Sequence, residues 1–338
     1  MTFTFRFELL PKQLYDDFTY NYGAQKILSS YCETPASYRI AGFWEHGPIL
    51  SEMKYYDGRF KLLGIDSELE RVRKKWLFFT SRQDTAQYLK SNGFSSVLDV
   101  GLPFIYLEDT TILEIPNSIL FFPLHSGRND ANKKFEPYQE LLIQLREKFK
   151  VVGICLHGND YSLEAENTCK EIGFDIVIEG ANELDSNSLW RVKNSILQFE
   201  YVIADTFSSA IVYGAYLNKK VAIVDIPGTN HFIWDNELEG LKISIFNVIN
   251  AKPHKEWGDR LVGINSKKTP EEIRRLFVFN PLNTLYYYSW FFRKNISSNT
   301  NLGLLRGIMC RFIDGVLFLN IKVIELISKI FFYRRWWR

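Results

Sequence analysis

Cysteine is scarce and scattered: Cys32, Cys155, Cys169 and Cys310 are the only four, with no Cys-x-x-Cys pair and no histidine at finger-like spacing. A disulfide framework and a zinc finger are thereby excluded, and a reducing cytoplasm fits best. Charge of one sign is lacking too. Forty-one basic side chains face 39 acidic ones, a formal net charge of +2, so no whole-molecule field draws the chain to nucleic acid. The first residues, Met-Thr-Phe-Thr-Phe-Arg-Phe-Glu, do not lead from a basic start into an apolar run with a cleavage site, and so do not read as a secretory signal. No repeat of fixed period is visible.

A charge-free apolar run of about 20 residues, the requirement for a membrane-spanning helix, is also missing. The apolar stretch from Asn301 to Phe332 is interrupted by Arg306, Arg311, Asp314, Lys322, Glu325 and Lys329. Within it Ile313, Val316, Leu317, Asn320, Ile321, Ile324, Ile327 and Phe331 recur at three- and four-residue spacing, which predicts an amphipathic helix lying in a membrane interface. The end, Tyr333-Arg334-Arg335-Trp336-Trp337-Arg338, adds rings that favour the headgroup level and cations drawn to anionic lipid. Residues 301–338 are therefore expected to hold the protein peripherally on the inner face of the cell membrane; the competing reading is a core helix packed back on the protein.

What is present is an ordinary globular composition, 46% hydrophobic and 24% charged, with a high aromatic share of 16%. At 338 residues the chain exceeds the size at which one hydrophobic core keeps growing, which predicts two domains and a cleft. Short apolar runs alternate with helix-like stretches. Trp76 to Thr80 reads as a strand, Asp84 to Asn92 as a helix stopped by Gly93, and Val97 to Val100 as the next strand. After the polar stretch Glu108 to Asn117 the alternation restarts, with strands at Ser118–Pro123, Val151–Leu156, Asp175–Ile178, Tyr201–Ala204 and Val221–Val224. Helices are expected at Glu136–Phe149, Glu164–Ile172, Ser186–Gln198 and Ser208–Leu217. The expectation is two α/β lobes with parallel, doubly wound sheets: residues 1–115 on the acceptor side, 116–280 binding a nucleotide donor, and 281–338 forming the helical tail.

Four segments concentrate chemistry. Phe43-Trp44-Glu45-His46-Gly47-Pro48 places an imidazole and a carboxylate on a loop after a strand expected at Tyr38–Ala41; His46 or Glu45 could act as general base on an acceptor hydroxyl, or the turn could be only structural. His125-Ser126-Gly127-Arg128 follows the first strand of the second lobe, where ligands collect in doubly wound sheets, and suits a diphosphate or a leaving phosphate; an ordinary polar turn is the alternative. His157 and Gly158 follow the next strand, with a base or ribose contact expected. Asp205-Thr206-Phe207-Ser208-Ser209 runs from a strand end into a helix start, where free N–H groups and the helix dipole favour an anion; N-capping by Thr206 or Ser208 is the plainer alternative.

The fourth segment, ADTFSSAIVYGAYLNKKVAIVD, resembles the Asp-x-x-Ser-Ser segment of GT-B-fold transferases. The likeness is to the glycerophosphotransferases that polymerise teichoic acids and to capsule and lipopolysaccharide transferases. FWEHGPI resembles their Trp-His-Gly-x-Pro segment, with Glu45 set between Trp44 and His46. His157-Gly158 stands where the family has His-Pro, and Thr206-Phe207 where an aromatic more usually follows Asp. VGLPFIYLE and NSILFFPLHS are similar to segments of surface-polysaccharide transferases. The resemblance implies a GT-B fold of two Rossmann-like lobes, His46 as catalytic base, and Ser208 and Ser209 on donor phosphate. It implies a nucleotide-sugar donor and a polysaccharide or lipid-linked glycan acceptor, with no cofactor. No DxD-like pair stands at a strand end, so no metal is expected. A glycerophosphotransferase, a nucleotide-sugar 2-epimerase and a non-catalytic membrane scaffold are the alternatives.

Overall fold

The structure is a computed structural model that describes residues 22–33, 43–45, 77–91, 93–125, 135, 138–182, 185–226 and 236–278. Among these the chain builds two sheets. The smaller contains β1 (Phe43–Trp44), β2 (Leu77–Thr80) and β3 (Ser96–Asp99), all parallel. Helix α1 (Ala24–Tyr31) precedes it, and α2 (Gln83–Ser91) connects β2 to β3.

The larger sheet is assembled by strict alternation. The sequence runs β4 (Ile115–Phe122), α3 (Tyr138–Arg146), β5 (Val151–Leu156), α4 (Leu163–Ile172), β6 (Ile176–Glu179), α5 (Ser188–Gln198), β7 (Phe199–Ala204), α6 (Ser209–Tyr216) and β8 (Lys220–Val224). Two short edge strands follow, β9 (Lys242–Ile243) and β10 (Lys252–Pro253), and then helices α7 (Lys255–Val262) and α8 (Pro270–Val278). The spatial order is β10-β8-β7-β4-β5-β6, with β9 also on β8. Every pairing is parallel except β10 with β8. The order reverses between β4 and β7, the topological switch of a doubly wound sheet.

Local chemistry accounts for these elements. β5 is apolar throughout because both its faces are covered. α4 starts where Ser162 Oγ accepts the Ala165 N–H at 3.0 Å, with Glu164 and Glu166 in the first turn, Lys170 in the last, and Gly173 closing the helix at φ 112°; caps and charges all agree with the helix dipole. β4 begins at Ile115, earlier than Ser118. Pro116 lies inside it, and Asn117 at φ 56° marks an irregularity in the register against β7. α7 and α8, with the edge strands, were not foreseen.

Alternate residues of β7 face opposite cores. Val202 and Ala204 pack with Leu189, Val192 and Ile196 of α5 and Ile211, Val212 and Ala215 of α6. Tyr201 and Ile203 pack with Leu141, Leu142 and Leu145 of α3 and Cys169 of α4. The first of these cores is continuous with the smaller sheet, taking in Trp44, Leu77, Phe79 and Phe104.

Several contacts join the two sheets. The Phe104 ring lies on Tyr213 of α6 at 3.9 Å and 2°. Leu102 N–H donates to Val262 O at 2.9 Å, and the buried Lys193 of α5 donates to Glu108 O at 2.6 Å. The chain's later helices return to α1, where Arg274 Nε meets Cys32 O at 2.9 Å and Tyr31 OH meets Lys268 O at 2.9 Å. The tail and its predicted interfacial helix lie outside the described residues. Among those described, no helix is long and apolar enough to cross a membrane.

Because Phe104 is fully buried between α6 and the smaller sheet, Phe104→Ala should cost about 3–5 kcal/mol. Urea unfolding followed by tryptophan fluorescence would read this as a lowered midpoint with an unchanged slope.

Candidate functional site

The strand ends at the switch point open into a cavity of about 250 Å³, near the lower edge of ligand pockets, which run about 300–1,000 Å³. Phe122, Pro123, Leu124 and His125 enter it from the end of β4, and Leu156 and His157 from β5. Phe207, Ser208, Ser209 and Tyr213 come from the end of β7 and from α6, while Trp44 and Glu45 come from the end of β1, Pro103 from the turn after β3 and Tyr22 from the turn before α1. The wall behind them is apolar, with Leu189 and Val192 of α5. Cys155 is also there, but burial pushes its thiol well up, which removes it as a nucleophile.

The start of α6 is the most informative part. Ser208 is the N-cap residue in extended conformation, yet its side chain makes no cap hydrogen bond, and its Oγ is buried without a partner. An N-cap serine ordinarily accepts from the second or third N–H of the helix, so the expected capping by Ser208 does not occur. An orphan hydroxyl beside first-turn N–H groups forms a cradle for an anion. Ser209, next along, hydrogen-bonds Tyr213; burial, followed by the charges of Tyr22 and Glu45, pushes that phenol's pKa up, and the Ser209 bond works against this.

Two imidazoles face this helix start from the neighbouring strands. The His125 and His157 rings lie 4.6 Å apart at 30°. His157 Nδ1 accepts the Asn159 N–H at 3.2 Å, and its Nε2 lies 3.4 Å from Tyr22 OH. The Nδ1 contact assigns the neutral ring's proton to Nε2. On the opposite side Glu45 Oε2 accepts from Ser81 N–H at 2.7 Å and Ser81 Oγ–H at 2.8 Å.

The structure thus brings Glu45, His125, His157, Ser208 and Ser209 around one cavity. Asp205, expected to touch the donor, is instead buried behind the site: Oδ1 accepts the Leu124 N–H at 2.7 Å and Oδ2 the Tyr138 hydroxyl at 3.2 Å. Burial first, then the Asp205 charge, pushes the Tyr138 phenol up. Thr206 is also buried, and neither residue lines the cavity. Gly158 is likewise no wall residue; a Cβ there would stand 2.7 Å from Asn182 Nδ2, so it serves close packing. His46, Ser126, Gly127 and Arg128 lie outside the described residues. Among those described, no cluster of histidine, cysteine and acidic side chains could hold a metal.

Sequence reasoning missed Tyr22, Pro103, Tyr213 and Ser81. Tyr22 adopts φ 58° ahead of Gly23 at φ 84°, a backbone that bulky residues rarely take; the Tyr-Gly pair before an amphipathic run was the available signal. Tyr213 lies one helical turn after Ser209 and could have been placed from that spacing.

No family model matches the chain, and no curated protein matches it. Solved structures overlay on it at low similarity. An S. aureus TarM mutant in complex with Fondaparinux, alpha-GlcNAc-glycerol and UDP is 11% identical over 64% of this chain and 48% of its own, with a TM-score of 0.36. S. aureus MnaA, a co-structure with UDP, is 13% identical over 82% of each chain, TM-score 0.36. A UDP-GlcNAc 2-epimerase from Neisseria meningitidis, bound to UDP-GlcNAc, is 13% identical over 75% of this chain and 78% of its own, TM-score 0.34. The matched part spans about half the length of the first. These scores are too low for the overlays to carry a conclusion about this chain.

Removing the Asp205 carboxylate leaves a backbone N–H and a phenol without their acceptor. Asp205→Ala is expected to lose about 2–3 kcal/mol, and Tyr138→Phe about 1 kcal/mol, both measured by urea denaturation.

Proposed function

We propose that this protein is a glycosyltransferase of GT-B architecture that moves a sugar from a nucleotide-activated donor to a hydroxyl acceptor. The observation that carries the reading is the Ser208 hydroxyl, buried without a partner at a helix start on the switch point of a doubly wound sheet and lining the same cavity as the Glu45 carboxylate. The donor's phosphates would lie on Ser208, Ser209 and the first N–H groups of α6, with His125 and His157 beside them. Positive dipole ends and imidazoles placed where negative charge develops lower the barrier to departure of a nucleoside diphosphate.

The transfer is a direct displacement. The acceptor O–H gives its proton to a base while its oxygen bonds the anomeric carbon. The bond from that carbon to the phosphate oxygen breaks, and the electron pair leaves with the nucleotide. Glu45 is the base we assign among the described residues, with His46 as its neighbour in sequence. No metal step is needed for this scheme. A polysaccharide or lipid-linked glycan of the cell surface, capsule or lipopolysaccharide included, is the acceptor class that a membrane-interface tail at residues 301–338 would serve, with the protein peripheral on the inner face of the membrane.

A panel of UDP-, GDP- and CMP-sugars and CDP-glycerol, incubated with and without lipid-linked acceptor, tests the assignment. Transfer or slow hydrolysis of a nucleotide sugar is expected. Epimerisation without release of nucleotide, turnover of CDP-glycerol alone, or no reaction would each reject it.

Two variants probe the roles within it. In Ser208→Ala the orphan hydroxyl is gone, so stability in urea should hold or rise while UDP affinity by calorimetry falls about 10–100-fold, near the value of one hydrogen bond to a charged group. Glu45→Gln should abolish transfer with UDP affinity near normal; loss of UDP affinity instead would move Glu45 to the phosphate side.

A further inference from the structure

Glu45 is held in place by a residue outside the cavity. Its N–H donates to Phe79 O at 2.8 Å, extending the ladder between β1 and β2 by one residue. Its Oε2 takes both donors of Ser81, the residue after β2, at 2.7 and 2.8 Å. Ser81 itself is fully buried. The loop around it is pinned, since Thr80 O accepts from the N–H groups of Val100 and Gly101 at 2.9 and 3.2 Å. Behind it stands Gly263 at φ 74°, where any Cβ would overlap the Ser81 carbonyl.

From this geometry we infer that Ser81 is a positioning residue: it fixes the Glu45 carboxylate at the cavity and holds it in the anionic form a base requires. The inference rests on the assignment of Glu45 above. Two donors converging on one oxygen set both the plane of the carboxylate and its charge, because a hydrogen bond to the ionised form favours that form. Ser81 touches neither the cavity nor a reacting atom, so its effect reaches the chemistry only through Glu45.

Among the described residues, several groups lie near Glu45. Tyr213 approaches from α6, its phenol feeling the Glu45 charge. Tyr22, His125 and His157 lie around the same cavity, and Arg82, beside Ser81, is paired with Asp84 at 3.1 Å. Deleting the Ser81 hydroxyl removes a donor from the anion and leaves these unchanged. The carboxylate then binds its proton more tightly, and activity is lost at a higher pH on the acid side.

The test uses the full chain with whichever nucleotide sugar the panel above shows to turn over. Ser81→Ala should lower kcat about 10-fold with KM for that sugar within twofold, and move the acid limb of the kcat profile up by about one pH unit. Ser81→Thr, which keeps both donors, should return the limb to its native position. An unmoved limb in Ser81→Ala, or a limb still displaced in Ser81→Thr, overturns the inference. Should Ser81→Ala unfold below the assay temperature, the position of the Ser81→Thr limb alone decides. Glu45→Gln separates the two levels: full activity in that variant rejects Glu45 as base, whereas an inactive Glu45→Gln beside an unshifted Ser81→Ala rejects only the role of Ser81.

Discussion

Strand order reverses between β4 and β7, and the helices that follow these two strands, α3 and α6, pack on opposite faces of the sheet. Backbone N–H groups at the strand ends need acceptors. The buried carboxylate of Asp205 supplies one, accepting from Leu124 N–H and from Tyr138 of α3. That bond fixes the turn carrying His125 relative to the turn carrying Ser208. Every other feature of the site presupposes this spacing: the paired imidazoles, the open helix start, and the depth at which Leu189 and Val192 close the floor.

Much of this was legible in the residues, and the reasons differ by element. β5, the end of β7 from Tyr201 to Ala204 and β8 from Val221 to Val224 are apolar runs because both faces are buried, and a continuous run is the signature of such strands. α4 could be read from Ser162 to Gly173 because cap, charges and stop all lie in sequence. The partners of Asp205 were not legible for a physical reason: an acid at a strand end next to serines looks alike in sequence whether or not a backbone amide and a phenol occupy its oxygens. Tyr22 and Ser81 were invisible because their partners, His157 and Glu45, are far away in sequence. The short α7 and the edge strands offer too few residues for a period to declare itself.

The site divides its charges by origin. Imidazoles, hydroxyls and the positive helix end come from the larger sheet, and the carboxylate comes from the smaller one. The displacement proposed above would be served by that division, since the groups assigned to the anion stand apart from the carboxylate assigned as base. The apolar wall matters for the same reason. Excluding water from between the two groups strengthens each local interaction without requiring either group to reorganise.

Such a division works only if the two sheets keep a fixed relation, and the packing behind the cavity supplies one beside the Tyr22–His157 contact within it. Ser208 begins α6; α6 packs on α7 so closely that a Cβ at Gly258 would overlap the Tyr216 amide. α7 ends at Gly263, which abuts Ser81, and Ser81 holds Glu45. Phe104 on Tyr213 locks the same helix to the smaller sheet from the other side. Close-packed interiors transmit small displacements rather than absorbing them. The relation of Ser208 to the Glu45 carboxylate is therefore set by helix packing behind the wall, through α6, α7 and Ser81.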